Sequence, residues 1–147
     1  MKTIEQHKSL KAYNTFAVEC FCEHFISVNT TEELRAALLN EDFSERFILG
    51  GGSNLLLTKN LSGLCIHVNL KGIRVIEEDD DHAIIEASAG ENWHDFVLWT
   101  LDQGYGGLEN LALIPGNIGT APIQNIGAYG VELKDSFVNC TTLETKT

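Results

Sequence analysis

The feature that most constrains this 147-residue chain is the stretch from Gly104 to Gly130, which holds seven glycines and both prolines of the sequence. No regular helix or strand of ordinary length survives such a run, because glycine adds backbone entropy and proline removes an amide donor. A flexible linker would be polar, whereas this stretch mixes its glycines with Leu, Ile and Ala. It is therefore expected to be an ordered, buried loop rather than a tether. The flanking segments have to supply the regular structure. Cys20 to Val28 is apolar and β-prone, and Thr30 and Glu33 have capping-box spacing ahead of Leu34, Ala37 and Leu38 on one helix face. Phe47-Ile48-Leu49 is a short buried strand, and Leu64 to Leu70 alternates. Ile73–Glu77 and His82–Ala89 flank an acidic turn and predict a hairpin, whose Asp79–Asp81 tip reads as a solvated loop rather than a cation site. Asn92 caps a helix over Trp93–Gln103 with Trp93, Phe96, Val97 and Leu101 on one side, and Gly104 supplies its left-handed end. Phe137 to Leu143 is expected as a last strand with no returning partner, so the chain resembles an N-terminal piece. An unpaired edge there predicts self-association through residues 137–143 by pairing or strand swapping.

Ten Lys and Arg stand against 21 Asp and Glu, a formal net charge of −11. Such a chain repels phosphate backbones and anionic bilayers, so neither nucleic acid nor membrane is expected as a partner. A small anion is still open to it, because backbone amides bind locally whatever the global charge. The apolar runs are far too short to span a bilayer, and the first residues lack the apolar core of a signal peptide, which predicts a cytoplasmic protein. The four cysteines make no CxxC pair; His24 near Cys22 and His67 near Cys65 are poor material for zinc. Reduced, packed thiols and no metal are expected.

Two glycine-rich segments carry the chemistry. In the first, a strand delivers the chain to Gly50-Gly51-Gly52-Ser53-Asn54, where amides can converge on an anion and Ser53 and Asn54 add donors. No Gly-Lys-Ser/Thr follows, so it is not a Walker loop, and Leu55 breaks the dinucleotide fingerprint. A pyrophosphate cradle built from neutral donors and a tight turn between strands both fit. In the second, small residues among Ile114, Ile118, Ile123 and Ile126 form either a flat apolar wall for a heteroaromatic ring or a loop packed under a sheet. Neither His94 nor Ser53 sits in a nucleophile pattern; His94 reads as a helix-surface or packing residue, and Trp93 and Trp99 as core or half-exposed anchors.

Five motifs in order carry a resemblance: Asn14-Thr15-Phe16, Leu49 to Leu55, Ala89-Gly90-Glu91-Asn92-Trp93, Gly107-Leu108-Glu109-Asn110-Leu111, and Ile114 to Glu132 with its unbroken Pro-Ile-Gln-Asn-Ile-Gly-Ala-Tyr-Gly. From about Asn14 onward the chain resembles the UDP-N-acetylenolpyruvoylglucosamine reductase family, the MurB-type FAD enzymes of bacterial peptidoglycan synthesis. The resemblance implies an α+β fold of the MurB/PCMH type, with residues 1–70 and 71–147 as two small mixed subdomains, FAD between them, and the substrate domain absent. It implies that Gly50, Gly51, Gly52, Ser53 and Asn54 hold the FAD pyrophosphate, and that Ile114, Pro115, Gly116, Gly119, Thr120, Ile126, Ala128 and Tyr129 line the flavin and its ribityl chain. Many relatives carry a second hydroxyl where this chain has Ala121, so one hydroxyl contact is lost or falls to Thr120 alone. The implied reaction passes hydride from NADPH through tightly but non-covalently bound FAD to the enolpyruvyl group of a nucleotide sugar. The family's catalytic arginine, serine and glutamate come from later segments, and Arg35, Arg46 and Arg74 lack that context. No residue here is assigned a catalytic role, and the chain alone is expected to be inactive. The rival readings are the FAD-binding domain of another flavin oxidase or dehydrogenase, and a non-catalytic nucleotide-binding module.

Overall fold

The computed structural model describes residues 3–145 and divides into two compact units, Met1–Leu70 with Thr141–Thr147, and Lys71–Cys140. The first unit is a four-stranded sheet. Its strands are β1 (Glu5–Ser9), β2 (Phe21–Val28), β3 (Arg46–Leu49) and β4 (Leu61–Val68), in the spatial order β1-β2-β4-β3. β1 runs antiparallel to β2, while β4 lies parallel to both β2 and β3. The helix α1 (Thr31–Leu38) connects β2 to β3. As the sequence predicts, Thr30 caps it, with Oγ1 accepting from Glu33 N at 3.1 Å. The Glu33 carboxylate reaches one residue further back than a capping box requires, accepting from Asn29 N at 2.7 Å.

Alternation along β2 and β4 splits the apolar side chains between two faces. Ile26, Val28, Leu64 and Ile66 pack with Ala37 of α1, and Phe25 and Cys65 pack on the opposite face with Leu10, Leu49 and Leu57. Cys22 would share the Ile26 face by simple parity. A register irregularity between Cys22 and His24 turns it to the Phe25 side, where it joins Cys20 and Cys65. All three thiols are buried and free, and Cys140 is exposed and free. Burial, before the neighbouring thiols, pushes the Cys65 thiol up to about 12.

The second unit starts with the predicted hairpin, β5 (Ile73–Glu78) against β6 (Ala83–Ala87), antiparallel. Asp79 closes its tip by accepting from the amides of Asp81 and His82 at 2.8 and 2.7 Å. Helix α2 (Trp93–Asp102) follows, capped by Asn92 and ended by Gly104 at φ +86°, as the sequence predicts. Trp93, Phe96, Val97, Leu111, Ala121 and Leu133 form the core of this unit. Two expectations are overturned. The stretch from Gly104 to Gly130 is ordered but not buried as a whole: it is built of short 3-10 turns, one turn of helix α3 (Ala121–Gln124) and the strand β7 (Gly127–Ala128), which pairs with β8 (Val131–Glu132). Leu113, Ile123 and Tyr129 are 77%, 83% and 89% exposed. Residues 137–143 form no strand, and Lys134 to Thr142 are exposed along their length. With no ladder partner among the described residues, the apolar pattern there forms no regular element, and the strand edge on which self-association was expected is not formed. No helix among the described residues is long and apolar enough to cross a membrane.

Candidate functional site

The first glycine segment leaves the sheet at the carboxyl end of β3, where Leu49 is fully buried beside β4. Gly52 holds φ +63°, and a Cβ on it would stand 2.0 Å from the Tyr13 carbonyl oxygen. Only glycine occupies that position without moving backbone. The chain that crowds it is the Leu10–Val18 excursion, stiffened by Asn14. The buried Asn14 amide donates to Leu10 O and Val18 O at 2.8 and 3.1 Å, and its Oδ1 accepts from Val18 N at 3.0 Å. Thr15 then grips the glycine loop, its N–H donating to Gly52 O at 3.2 Å and its hydroxyl to Ser53 O at 3.5 Å. The Asn-Thr-Phe motif is thus the support of the glycine loop, a role that spacing in the sequence could not reveal. Gly50 to Asn54 contain no cationic side chain. Asn54 is exposed and Ser53 half-buried, and backbone amides, a hydroxyl and a side-chain amide are the donor types that suit a pyrophosphate.

The second segment is held by the residues on either side of Asn92. Gly119 N donates to Ala89 O and Ile118 N to Glu91 O, both at 2.9 Å, and Asn117 forms an antiparallel bridge with Asn92. Trp93 donates twice, from its backbone N–H to Gly116 O at 3.0 Å and from its indole Nε1 to Leu111 O at 2.8 Å. A Cβ on Gly119 would lie 2.7 Å from Ala89 Cβ, so the approach of the two segments requires glycine. The Ala-Gly-Glu-Asn-Trp motif is therefore the frame on which the loop hangs. The Gly-Leu-Glu-Asn-Leu motif braces itself: Glu109 accepts from Gly107 N at 2.6 Å, and its own amide followed by that of Gly107 holds its carboxyl below the ordinary value.

Of the apolar residues expected to form a wall, Ile114, Ile118, Ile126 and Ala128 pack against the core of this unit, whereas Ile123 points outward. The Thr120 hydroxyl gives its proton to Asn117 O at 2.9 Å and can offer a ligand only a lone pair. Tyr129 (φ +53°) and Gly130 (φ +81°) make the turn between β7 and β8, which displays the Tyr129 ring. Gly116 takes φ +128°. The glycine loop belongs to the first unit and the Ile114–Tyr129 residues to the second. No cluster of three metal-ligating side chains occurs among the described residues.

Residues 23–146 match the FAD binding domain family. Over 144 residues the chain is 55% identical to the UDP-N-acetylenolpyruvoylglucosamine reductase of Flavobacterium johnsoniae, covering 98% of this chain and 43% of that protein. It is 48% identical over 151 residues to the enzyme of the same name from Neisseria meningitidis, covering 100% of this chain and 44% of that one. The chain thus spans less than half the length of these curated relatives. Among solved structures, the UDP-N-acetylenolpyruvylglucosamine reductase (MurB) of Thermus caldophilus superposes with a TM-score of 0.70 at 27% identity, over 92% of this chain and 47% of that one.

Proposed function

The chain belongs to the FAD-binding domain family, and from that premise we propose that it is the FAD-holding part of a UDP-N-acetylenolpyruvoylglucosamine reductase. In this reading the amides of Gly50, Gly51 and Gly52, with Ser53 and Asn54, hold the FAD pyrophosphate. Ile114, Pro115, Gly116, Gly119, Thr120, Ile126, Ala128 and Tyr129 line the isoalloxazine and ribityl chain. FAD, when bound, supplies the hydride chemistry that connects NADPH to the enolpyruvyl double bond of the nucleotide sugar, giving UDP-N-acetylmuramate for peptidoglycan. The chain's own residues bind and orient; none is assigned a proton transfer or a catalytic role. In this reading the work is cytoplasmic, which the nucleotide co-substrates support, and the net charge of −11 argues against nucleic acid or an anionic membrane as partner.

The observation that carries the proposal is the strand-end glycine loop, in which Gly52 is locked against Tyr13 and gripped by Thr15 without a cationic side chain in the loop itself. Glycine at that density lets backbone amides approach an anionic ligand closely, which supports the reading. The test is a visible absorption spectrum of the purified protein after incubation with FAD and desalting. A flavin band that survives desalting is expected. A folded protein that stays colourless would overturn the cofactor assignment, and uptake of ADP but not FAD would favour a nucleotide-binding module.

A further inference from the structure

Leu113 is an anomaly in the second segment. Its φ is +64°, a left-handed conformation that a branched residue rarely adopts. Its side chain is mostly exposed, so burial offers nothing in return. What holds the turn is an imidazole: Leu113 N donates to Nδ1 of His94, the second residue of α2, at 3.2 Å. As the acceptor in this bond, Nδ1 offers the amide its lone pair. On either side of this bond the loop is fastened by Trp93, through Leu111 O and Gly116 O. His94 thus supplies the attachment at the centre of the span, immediately before Ile114, Pro115 and Gly116. Gly116, at the end of this span, is itself left-handed.

Resting on the flavin reading above, we propose that His94 is the positioning residue of the Leu113–Gly116 loop. Its Nδ1 fixes the left-handed turn at Leu113 and so sets the course of the following backbone, Ile114 to Gly116, which in that reading would line the flavin. His94 does not touch the cofactor in this scheme; it sets the geometry of groups that do. Hydrogen bonds at a flavin's edge tune its electronics as well as its affinity. Losing the acceptor should therefore alter the colour and potential of bound flavin, which a purely structural residue would leave alone.

His94→Phe keeps a ring and removes the acceptor, whereas His94→Asn places an amide oxygen near the position of Nδ1. With one hydrogen bond lost, His94→Phe should weaken FAD binding about tenfold and shift the visible band and midpoint potential. His94→Asn should recover most of the affinity and the wild-type spectrum. A second readout needs neither variant nor cofactor: in the wild-type protein without FAD, the Leu113 amide should exchange with solvent deuterium more slowly than an unbonded loop amide. Wild-type-like flavin affinity and spectrum in His94→Phe would overturn the proposal, as would equal damage in both variants or unprotected exchange at Leu113. If the wild-type protein takes up no FAD, the flavin reading fails and this inference falls with it. A Leu113 amide that is protected in the wild type and loses that protection in His94→Phe would still establish the His94 bond itself.

Discussion

Replacing one Gly52 hydrogen by a methyl group would put a carbon 2.0 Å from the Tyr13 carbonyl oxygen, in a backbone conformation at φ +63° that disfavours any side chain. The left-handed strain is about 1–2 kcal/mol and the overpacking about 1–3 kcal/mol, so Gly52→Ala should destabilise the protein by about 2–5 kcal/mol. Gly63 is the control, because a Cβ there meets Glu45 O at 2.4 Å with φ +72°, yet it lies within β4 and outside the cradle. Both variants should lose stability in urea, and only Gly52→Ala should lose FAD out of proportion to its stability. Equal loss of FAD in the two would mean that the cradle plays no specific part. At this scale the sequence is candid about what chemistry a segment could do and silent about what holds it. Gly50 to Asn54 were readable as a candidate anion loop. The hold that Thr15 has on that loop joins positions almost forty residues apart (Thr15 to Ser53, separation 38), and the acceptors are backbone carbonyls that any residue type carries.

Helix α2 shows how an element can serve two purposes with its first turn. Asn92 caps it and also bridges to Asn117; Trp93 fills the core and also donates to Leu111 O; His94 accepts from Leu113. Local rules made the first half of each role legible. Caps at Thr30 and Asn92 and the left-handed stop at Gly104 depend on neighbours within a few residues, which a sequence displays directly. The second half depends on chain brought in from beyond Gly104, which no periodicity records. The same limit explains residues 137–143: an apolar run becomes a strand only where a ladder partner exists, and no pattern in the run states whether it does. It also explains the exposed Leu113, Ile123 and Tyr129, since hydrogen bonds to residues 89–94 help order the loop and not every apolar residue in it has to be buried. Trp93→Phe tests the double role. It keeps the aromatic core but strips the fully buried Leu111 of its carbonyl's partner, at a cost of about 1–3 kcal/mol. The urea midpoint should fall, and amide exchange should quicken over residues 111–119 more than in β5 and β6. Uniform quickening across the second unit would mean that the indole bond does nothing special for the loop.

For the whole molecule the decisive quantity is charge. At −11 the protein repels a ligand whose pyrophosphate is itself anionic, so long-range electrostatics oppose the proposed cofactor and affinity must come from short-range donors. The donor set of Gly50 to Asn54 is neutral, and neutral donors make a definite prediction about salt. When Lys or Arg grips phosphate, added salt competes with the contact and binding weakens. Here added salt screens only the repulsion, because the Debye length falls from about 30 Å at 0.01 M to about 3 Å at 1 M while amide contacts sit at about 3 Å. The FAD dissociation constant, measured by flavin fluorescence from 0.02 to 0.5 M NaCl, should therefore hold steady or decrease. A steep rise with salt would show that a cationic side chain carries the phosphates, and would move the site off the glycine loop. Steady binding with a sharp loss in Gly52→Ala would instead tie the cofactor to backbone amides, since that combination has no explanation in net charge and none in a lysine.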